Sequence, residues 1–230
     1  IDYFLVANFD QEFAKISAED FIINLLYKKL NAKTVVIGFN NTFGYKGLGT
    51  PKMLKEFGDK LGFKVVIVEP VTKNGIVVSS TEIRKTLLEG KITLANELLG
   101  RHFFLEGKVV RGDGRGKKLG FPTANLEVSP DIVIPNNGVY AVKVTYDGKA
   151  YAGALNIGTK PTFAGKIQTV EVNIIGFSKN IYGEVLKVEF LEKLRSEKTF
   201  ASPAELSAQI DLDTKKAAEI FNQRTEEIII

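Results

Sequence analysis

Apolar positions along this chain follow two rhythms, and the change between them falls at Gly100-Arg101. Before that point, short β-branched runs alternate with segments of helical spacing. Tyr3 to Ala7 reads as a short buried strand. Ser17 is placed to cap a helix with Asp20 in its first turn, and Phe21, Ile22, Leu25, Leu26 and Leu30 recur at helical spacing. Thr34 to Gly38 and Lys64 to Val68 are continuous runs suited to parallel strands covered on both faces. Between them, Thr50-Pro51 starts a helix whose apolar face is Met53, Leu54, Phe57 and Leu61, and Gly62 ends it. Two more helices are expected near Thr81–Glu89 and Thr93–Leu99. Strands alternating with helices predict a partial doubly wound, Rossmann-like α/β domain over residues 1–100.

Beyond Arg101 the period becomes twofold. Phe104 to Val110 begins a strand, and Tyr140, Val142, Val144 and Tyr146 alternate with Ala141, Lys143 and Thr145. Asp147-Gly148 is a hairpin signal. Tyr151 to Asn156, Thr169 to Ile175 and Glu184 to Leu191 supply further strands. Short strands separated by Gly and Asn turns predict a closed antiparallel β-barrel over residues 101–230. Ser202-Pro203 starts a helix, and Asp211 or Asp213 is placed to cap a last one carrying Ala217, Ile220 and Phe221. The α/β layer and the barrel thus form two domains, with C-terminal helices attached to the second.

Charge and composition narrow the classes of function. The net charge of +4 suits anionic small molecules and is weak for nucleic acid. No cysteine is present, which excludes a disulfide framework and a thiolate zinc site. No apolar run is long enough to span a membrane, and no signal peptide is visible. These features fit a cytoplasmic protein, and a start at Ile1 without methionine fits a fragment.

The chemistry concentrates in Gly107 to Asn125, GKVVRGDGRGKKLGFPTAN. Gly112, Gly114 and Gly116 interleave with Arg111, Asp113, Arg115, Lys117 and Lys118. Glycine lets another group approach the backbone closely, and successive N–H groups in such a loop form an anion-binding nest. Thr123 and Asn125 follow, two residues apart, as hard oxygen donors of the kind magnesium takes beside a phosphate. A solvated basic connection or a contact with a nucleic-acid backbone would have the same composition, so phosphate binding is here one of three readings. Glu171 sits mid-strand, opposite in facing to Val170, Val172 and Ile174, an unusual place for a carboxylate. A solvated outer face is the plain alternative. Upstream, Ser79 and Glu82 have capping-box spacing, and Arg84 is expected in the helix's first turn, where a bound anion would relieve its conflict with the macrodipole. Asn40 follows a strand's C-terminal end, the edge at which open α/β sheets bind ligands.

GDGRGKKLGFPTANL resembles the nucleotide loop of riboflavin kinases, and Asn156 to Phe163, Val170-Glu-Val-Asn173, Tyr182-Gly183 and Leu194-Arg195 follow in that family's order. Residues 1–100 resemble the later part of the FMN adenylyltransferase (FAD synthetase) module of bacterial bifunctional riboflavin kinase/FAD synthetases. The resemblance implies transfer of the ATP γ-phosphate to the riboflavin 5′-hydroxyl, giving FMN. It implies that Gly112, Gly114, Arg115, Gly116 and Lys117 hold phosphates, that Thr123 and Asn125 orient Mg2+, and that Glu171 is the base. Arg195 would lie near the flavin, and Asn40, Ser79, Ser80 and Arg84 would contact nucleotide or flavin. Riboflavin, FMN and ATP are the implied partners, with FAD as the product of the adenylyltransferase half. The early Gly-x-Phe-Asp-x-x-His-x-Gly-His segment of that half has no match, and AMP transfer is not expected of this chain as given. His102, at the junction, is expected to be structural. An RNA-binding barrel would carry aromatics among its basic residues, and the stretch from Arg111 to Lys118 has none. A flavin carrier without kinase activity is a third class.

Overall fold

A computed structural model describes residues 1–112, 114, 116, 119–162 and 165–224, with the side chains of 161, 162, 165 and 166 excepted. Arg115, Lys117, Phe163 and the 226–230 tail lie outside the described residues. The chain forms two compact units, Ile1–Thr72 and Lys73–Ile230. This division falls upstream of Gly100-Arg101, because the helices before Gly100 pack with the barrel.

In the first unit, α1 (Gln11–Ala14) and α2 (Ala18–Asp20) precede a π-helical stretch, Phe21–Lys29. Ser17 caps α2 as expected, its Oγ accepting from the Asp20 N–H at 3.0 Å. The expected helix is thus wound i→i+5, and its buried contact is Ile22, packed with Leu54 and Phe63, while Leu30 stays exposed. Strands β1 (Thr34–Gly38) and β2 (Lys64–Val68) pair in parallel, and α3 (Pro51–Leu61) joins them. Thr50 caps α3 through Met53 N–H at 3.2 Å, and Gly62 ends it in the left-handed region at φ +81°. Two expectations fail here. Tyr3 to Ala7 is exposed and not a strand, since no described strand pairs with its backbone groups. The β1–β2 sheet is covered on one face only, which leaves Val36 and Val68 exposed.

The second unit starts in a small hairpin, β3 (Thr72–Lys73) with β4 (Ile76–Val77), then α4 (Ser80–Leu88) and α5 (Ile92–Leu99). Six antiparallel strands follow: β5 (Phe104–Val110), β6 (Ala124–Val128), β7 (Gly138–Tyr146), β8 (Lys149–Thr162), β9 (Gly165–Ile174) and β10 (Val185–Arg195). They close in the order β10-β5-β6-β9-β8-β7. Asp147 (φ +50°) and Gly148 (φ +70°) make the tight β7–β8 turn, which needs positive φ at both positions. Inward residues, among them Leu105, Leu126, Tyr140, Leu155, Val172, Leu186 and Phe190, fill the barrel. Leu87, Ile92 and Ala95 join that core from α4 and α5.

One helix, α6 (Pro203–Arg224), covers β7 and β10. Ala141 and Leu191 point outward there and meet Ala217 and Ile220. Asp211 and Asp213 therefore do not cap a separate helix. Ser202 does cap α6, accepting from the Glu205 N–H at 3.2 Å while Glu205 accepts from the Ala201 N–H at 3.1 Å.

Buried polar groups tie α5 to the barrel. Asn96 is 4 % exposed. Its amide nitrogen reaches Phe190 O at 2.9 Å and His102 Nδ1 at 3.2 Å, and its oxygen accepts from Phe103 N–H at 2.8 Å. His102 is structural, as expected. Asn96→Ala would leave Phe103 N–H and Phe190 O unpaired, a loss of about 2–4 kcal/mol from unmade hydrogen bonds, to be read from urea unfolding. Burial raises the Tyr140 hydroxyl to about 12. The neutral phenol is thus favoured in the fold, so stability holds below the unfolded tyrosine value and falls as pH climbs from about 10 toward 12. Tyr140→Phe should flatten that decline in chemical-denaturation curves taken across this range.

Candidate active site

Strand register builds the site. Asn125 of β6 and Asn156 of β8 both lie opposite Glu171 of β9. Directly paired residues share a sheet face, with Cβ atoms about 4.5–5.5 Å apart. Because Val170 and Val172 point into the core, Glu171 and its two partners stand on the outer face of the barrel. Glu171 is partly buried. Its Oε1 meets the Lys160 ammonium at 3.1 Å, and its Oε2 accepts from the Thr123 hydroxyl at 3.4 Å. The Thr123 turn is itself anchored two residues along β9, where Asn173 Nδ2 donates to Pro122 O at 2.8 Å.

Two cavities meet at Thr123. The helix-side cavity, about 400 Å³, lies between β8, β9 and α6. Glu171, Lys160 and Asn156 form its polar wall, and Phe200, Leu206 and Ile210 its apolar wall. The loop-side cavity, about 430 Å³, reaches the barrel interior at Val109 and Val172 and is bordered by Pro122, Phe177, Lys179 and Tyr182. Arg111 sits over the Tyr182 ring at 5.9 Å.

The glycine loop joins this arrangement. Gly114 and Gly116 line the helix-side cavity. A Cβ on Gly112 would lie 2.1 Å from Asn125 Nδ2, so the Asn125 amide occupies the space that a side chain at 112 would need. A Cβ on Gly116 would fall 2.4 Å from Phe121 O, where the loop folds back through the Phe121 N–H to Gly116 O bond of 2.9 Å. Thr123 and Asn125 offer a hydroxyl and an amide oxygen, hard donors that suit magnesium rather than a softer ion. Among the described residues there is no cluster of three or more His, Asp or Glu able to hold a metal. The donor set therefore fits a cation that draws its remaining ligands from phosphate and water.

Arg195 also lines the helix-side cavity, but its guanidinium is occupied. Nε reaches the two Asp213 oxygens at 3.1 and 3.0 Å, Nη2 reaches Oδ2 at 2.8 Å, and Nη1 donates to Ser196 O at 3.1 Å. Glu189, another mid-strand glutamate of the barrel, is bound by Lys143 at 2.7 Å and Lys187 at 3.5 Å. Burial pushes its carboxyl up, but the hydrogen bond and charge of Lys143, with Lys187, bring it below the usual range.

The upstream candidates are arranged differently. Ser79 caps α4, its Oγ accepting from Glu82 N–H at 3.2 Å. Ser80 is the first residue of α4 and is exposed. Arg84 is exposed and is the fifth residue of α4, beyond the first turn, so the expected clash with the helix dipole does not arise. Asn40 is an exposed turn residue after β1 in the first unit. Arg115 and Lys117 lie outside the described residues. From sequence, Asn156 and Lys160 stand only as members of the Asn156 to Phe163 motif, Phe200 only as the end of the segment after Arg195, and Asp213 only as a helix cap. The β8–β9 pairing would have found Asn156, because the hairpin register puts it opposite Glu171.

Residues 99–221 match the family model described as riboflavin kinase, and residues 1–82 the one described as FAD synthetase. The bifunctional riboflavin kinase/FMN adenylyltransferase of Buchnera aphidicola subsp. Schizaphis graminum is 42% identical over 226 residues, covering 96% of this chain and 72% of the relative. That of Bacillus subtilis is 39% identical over 221 residues, covering 94% and 69%. A crystal structure of a Streptococcus pneumoniae protein named a macrolide-efflux protein superposes with a TM-score of 0.84 at 36% identity, covering 92% of this chain and 68% of that one. Among the described residues, no helix is long and apolar enough to cross a membrane.

Gly112→Ala is expected to expel the Asn125 side chain from its place beside Glu171 while leaving the barrel intact. Two-dimensional NMR should then show the Asn125 side-chain amide signals displaced and the core methyl signals unmoved.

Proposed function

The chain belongs to the bifunctional riboflavin kinase/FMN adenylyltransferase family and carries its riboflavin kinase domain, and we propose that phosphoryl transfer takes place where the two cavities meet at Thr123. Riboflavin occupies the helix-side cavity, where Phe200, Leu206 and Ile210 face its ring system and Glu171 faces its ribityl chain. ATP enters from the loop side, with Pro122, Phe177 and Tyr182 against the base, and its phosphates reach past Thr123 to the glycine loop at the edge of the helix-side cavity, with Arg115 and Lys117 of that loop as their proposed ligands. The observation that carries this reading is the shared wall: Thr123 borders both cavities and bonds to Glu171.

Glu171 accepts the proton of the ribityl 5′-hydroxyl. That oxygen then forms a bond to the γ-phosphorus as the bond to the bridging β–γ oxygen breaks, and ADP leaves. The Thr123 hydroxyl bond to Glu171 is long at 3.4 Å, so the substrate hydroxyl can replace it at modest cost. Lys160 holds the other carboxylate oxygen and keeps the group facing the cavity. Thr123 and Asn125 would hold Mg2+, which when bound neutralises charge on the phosphates. The apolar wall excludes water that would otherwise compete for the phosphoryl group.

The N-terminal region contributes Asn40, Ser79, Ser80 and Arg84 as contacts for nucleotide or flavin in the FAD synthetase half, and no AMP transfer is assigned to this chain. We place the protein in the cytoplasm, with its small-molecule substrates.

The test is to add riboflavin and Mg-ATP and to separate the fluorescent products. FMN is expected from the native chain. In Glu171→Gln, kcat should fall about 10²–10⁴-fold, the contribution of a positioned base, with nucleotide binding preserved. Full turnover in that variant would remove Glu171 from the mechanism.

A further inference from the structure

The helix-side cavity has one wall whose position depends on an ion pair. Asp213 is 6 % exposed, and it is among the few polar side chains buried in the described part of the chain. It lies in the middle of α6, where a carboxylate neither caps the helix nor reaches water. Two groups converge on it: the Arg195 guanidinium, through Nε and Nη2, and Gln209 Nε2, at 3.0 Å. Each guanidinium nitrogen donates to a protein acceptor, which uses three of the five N–H groups of Arg195 and fixes its orientation. Its Cζ lies over the Phe200 ring, 5.7 Å from the centre, and Lys198 Nζ lies over the same ring at 5.5 Å. A register irregularity in β10 between Lys193 and Arg195 precedes this geometry, and such bulges re-aim the side chains that follow them.

The two halves of α6 are held by different forces. Its C-terminal half is packed on the barrel through Ala217 and Ile220, and Arg224 meets Glu192 at 2.8 Å. Its N-terminal half presents Leu206 and Ile210 to the cavity, and Asp213 is the polar fastening at that end. Removing the carboxylate would leave the partly buried Arg195 guanidinium without its charged partner, and the arrangement around Arg195 would have to change. The loss would fall on the cavity half of the helix, because the packed half does not use it.

We infer that Asp213 is a positioning residue for flavin recognition: it fixes Arg195, and through the guanidinium face it fixes Phe200 as the rigid wall against which the flavin ring lies. Arg195 on this view is not a phosphate ligand. The inference rests on the riboflavin kinase reading of the cavity. Fixing the wall before the substrate arrives removes an ordering cost from binding, so the effect belongs to riboflavin affinity and not to the nucleotide.

The experiment uses the full chain and begins with riboflavin binding to the native protein, followed by flavin fluorescence without nucleotide. Absence of binding there would bring down the kinase reading and this inference with it. Given native binding, Asp213→Asn is expected to raise the riboflavin Kd at least tenfold, with the ATP KM changed less than twofold and the far-UV circular dichroism unchanged. Phe200→Ala leaves the ion pair in place and should produce the same riboflavin-specific loss. An unchanged riboflavin Kd in either folded variant overturns the inference. An equal rise in the ATP KM of Asp213→Asn also overturns it, since Arg195 would then be serving the phosphates. If Asp213→Asn does not fold, Arg195→Lys takes its place, and an unchanged riboflavin Kd in that folded variant overturns the inference.

Discussion

The site depends on the pairing of β9 with two neighbours at once. A barrel strand hydrogen-bonds on both sides, so a residue near its middle has a fixed partner on each flank. Glu171 has Asn125 on one side and Asn156 on the other. No single strand holds this set of groups; the closed ladder does. A slip of one residue in either register would turn the partners inward and put apolar side chains where the carboxylate now stands. The buried alternation of Val170, Val172 and Ile174 opposes such a slip, because it would expose the whole inner face of β9. Core packing and site geometry are thus consequences of one constraint.

Around that fixed centre, the loops supply what strands cannot. The glycine loop brings backbone close to Asn125 and Phe121, at distances that any side chain would forbid. The 196–202 segment and α6 close the other side of the cavity, and a charged pair fastens them to the end of β10. The Glu171 carboxylate and the hard-oxygen donors therefore sit on strands or at their edges, while the remaining cavity walls are carried by loops and a helix. This division matches the demands of phosphoryl transfer, in which positioning supplies most of the catalysis.

The polar contacts of the second unit divide by role. Asn96 serves the fold, tying a helix to Phe103 and Phe190. Glu189 is held by two lysines and does not border the cavities at Thr123. Glu171 borders the helix-side cavity and accepts from the Thr123 hydroxyl. Composition could not separate these glutamates, since both alternate with apolar neighbours on barrel strands. Their neighbours across the sheet separate them, and sequence spacing does not encode those neighbours.

Local chemistry was legible from the chain. The caps at Ser17, Thr50, Ser79 and Ser202, the Asp147-Gly148 turn and the inward face of β9 follow from short-range sterics and hydrogen bonding, and they need only a few adjacent residues. The order of motifs along residues 101–221 likewise identified the family. Long-range placement was not legible. An apolar run such as Tyr3 to Ala7 becomes a strand only where another backbone accepts its hydrogen bonds. Arg195 reads as a free cation until Asp213, eighteen residues away, is brought against it. Asn156 acquires meaning only opposite Glu171, and Lys160 only against its carboxylate. Sequence determined which elements could form and which groups could react; the closed sheet decided which of those groups meet, because cross-strand neighbours are set by register and not by distance along the chain.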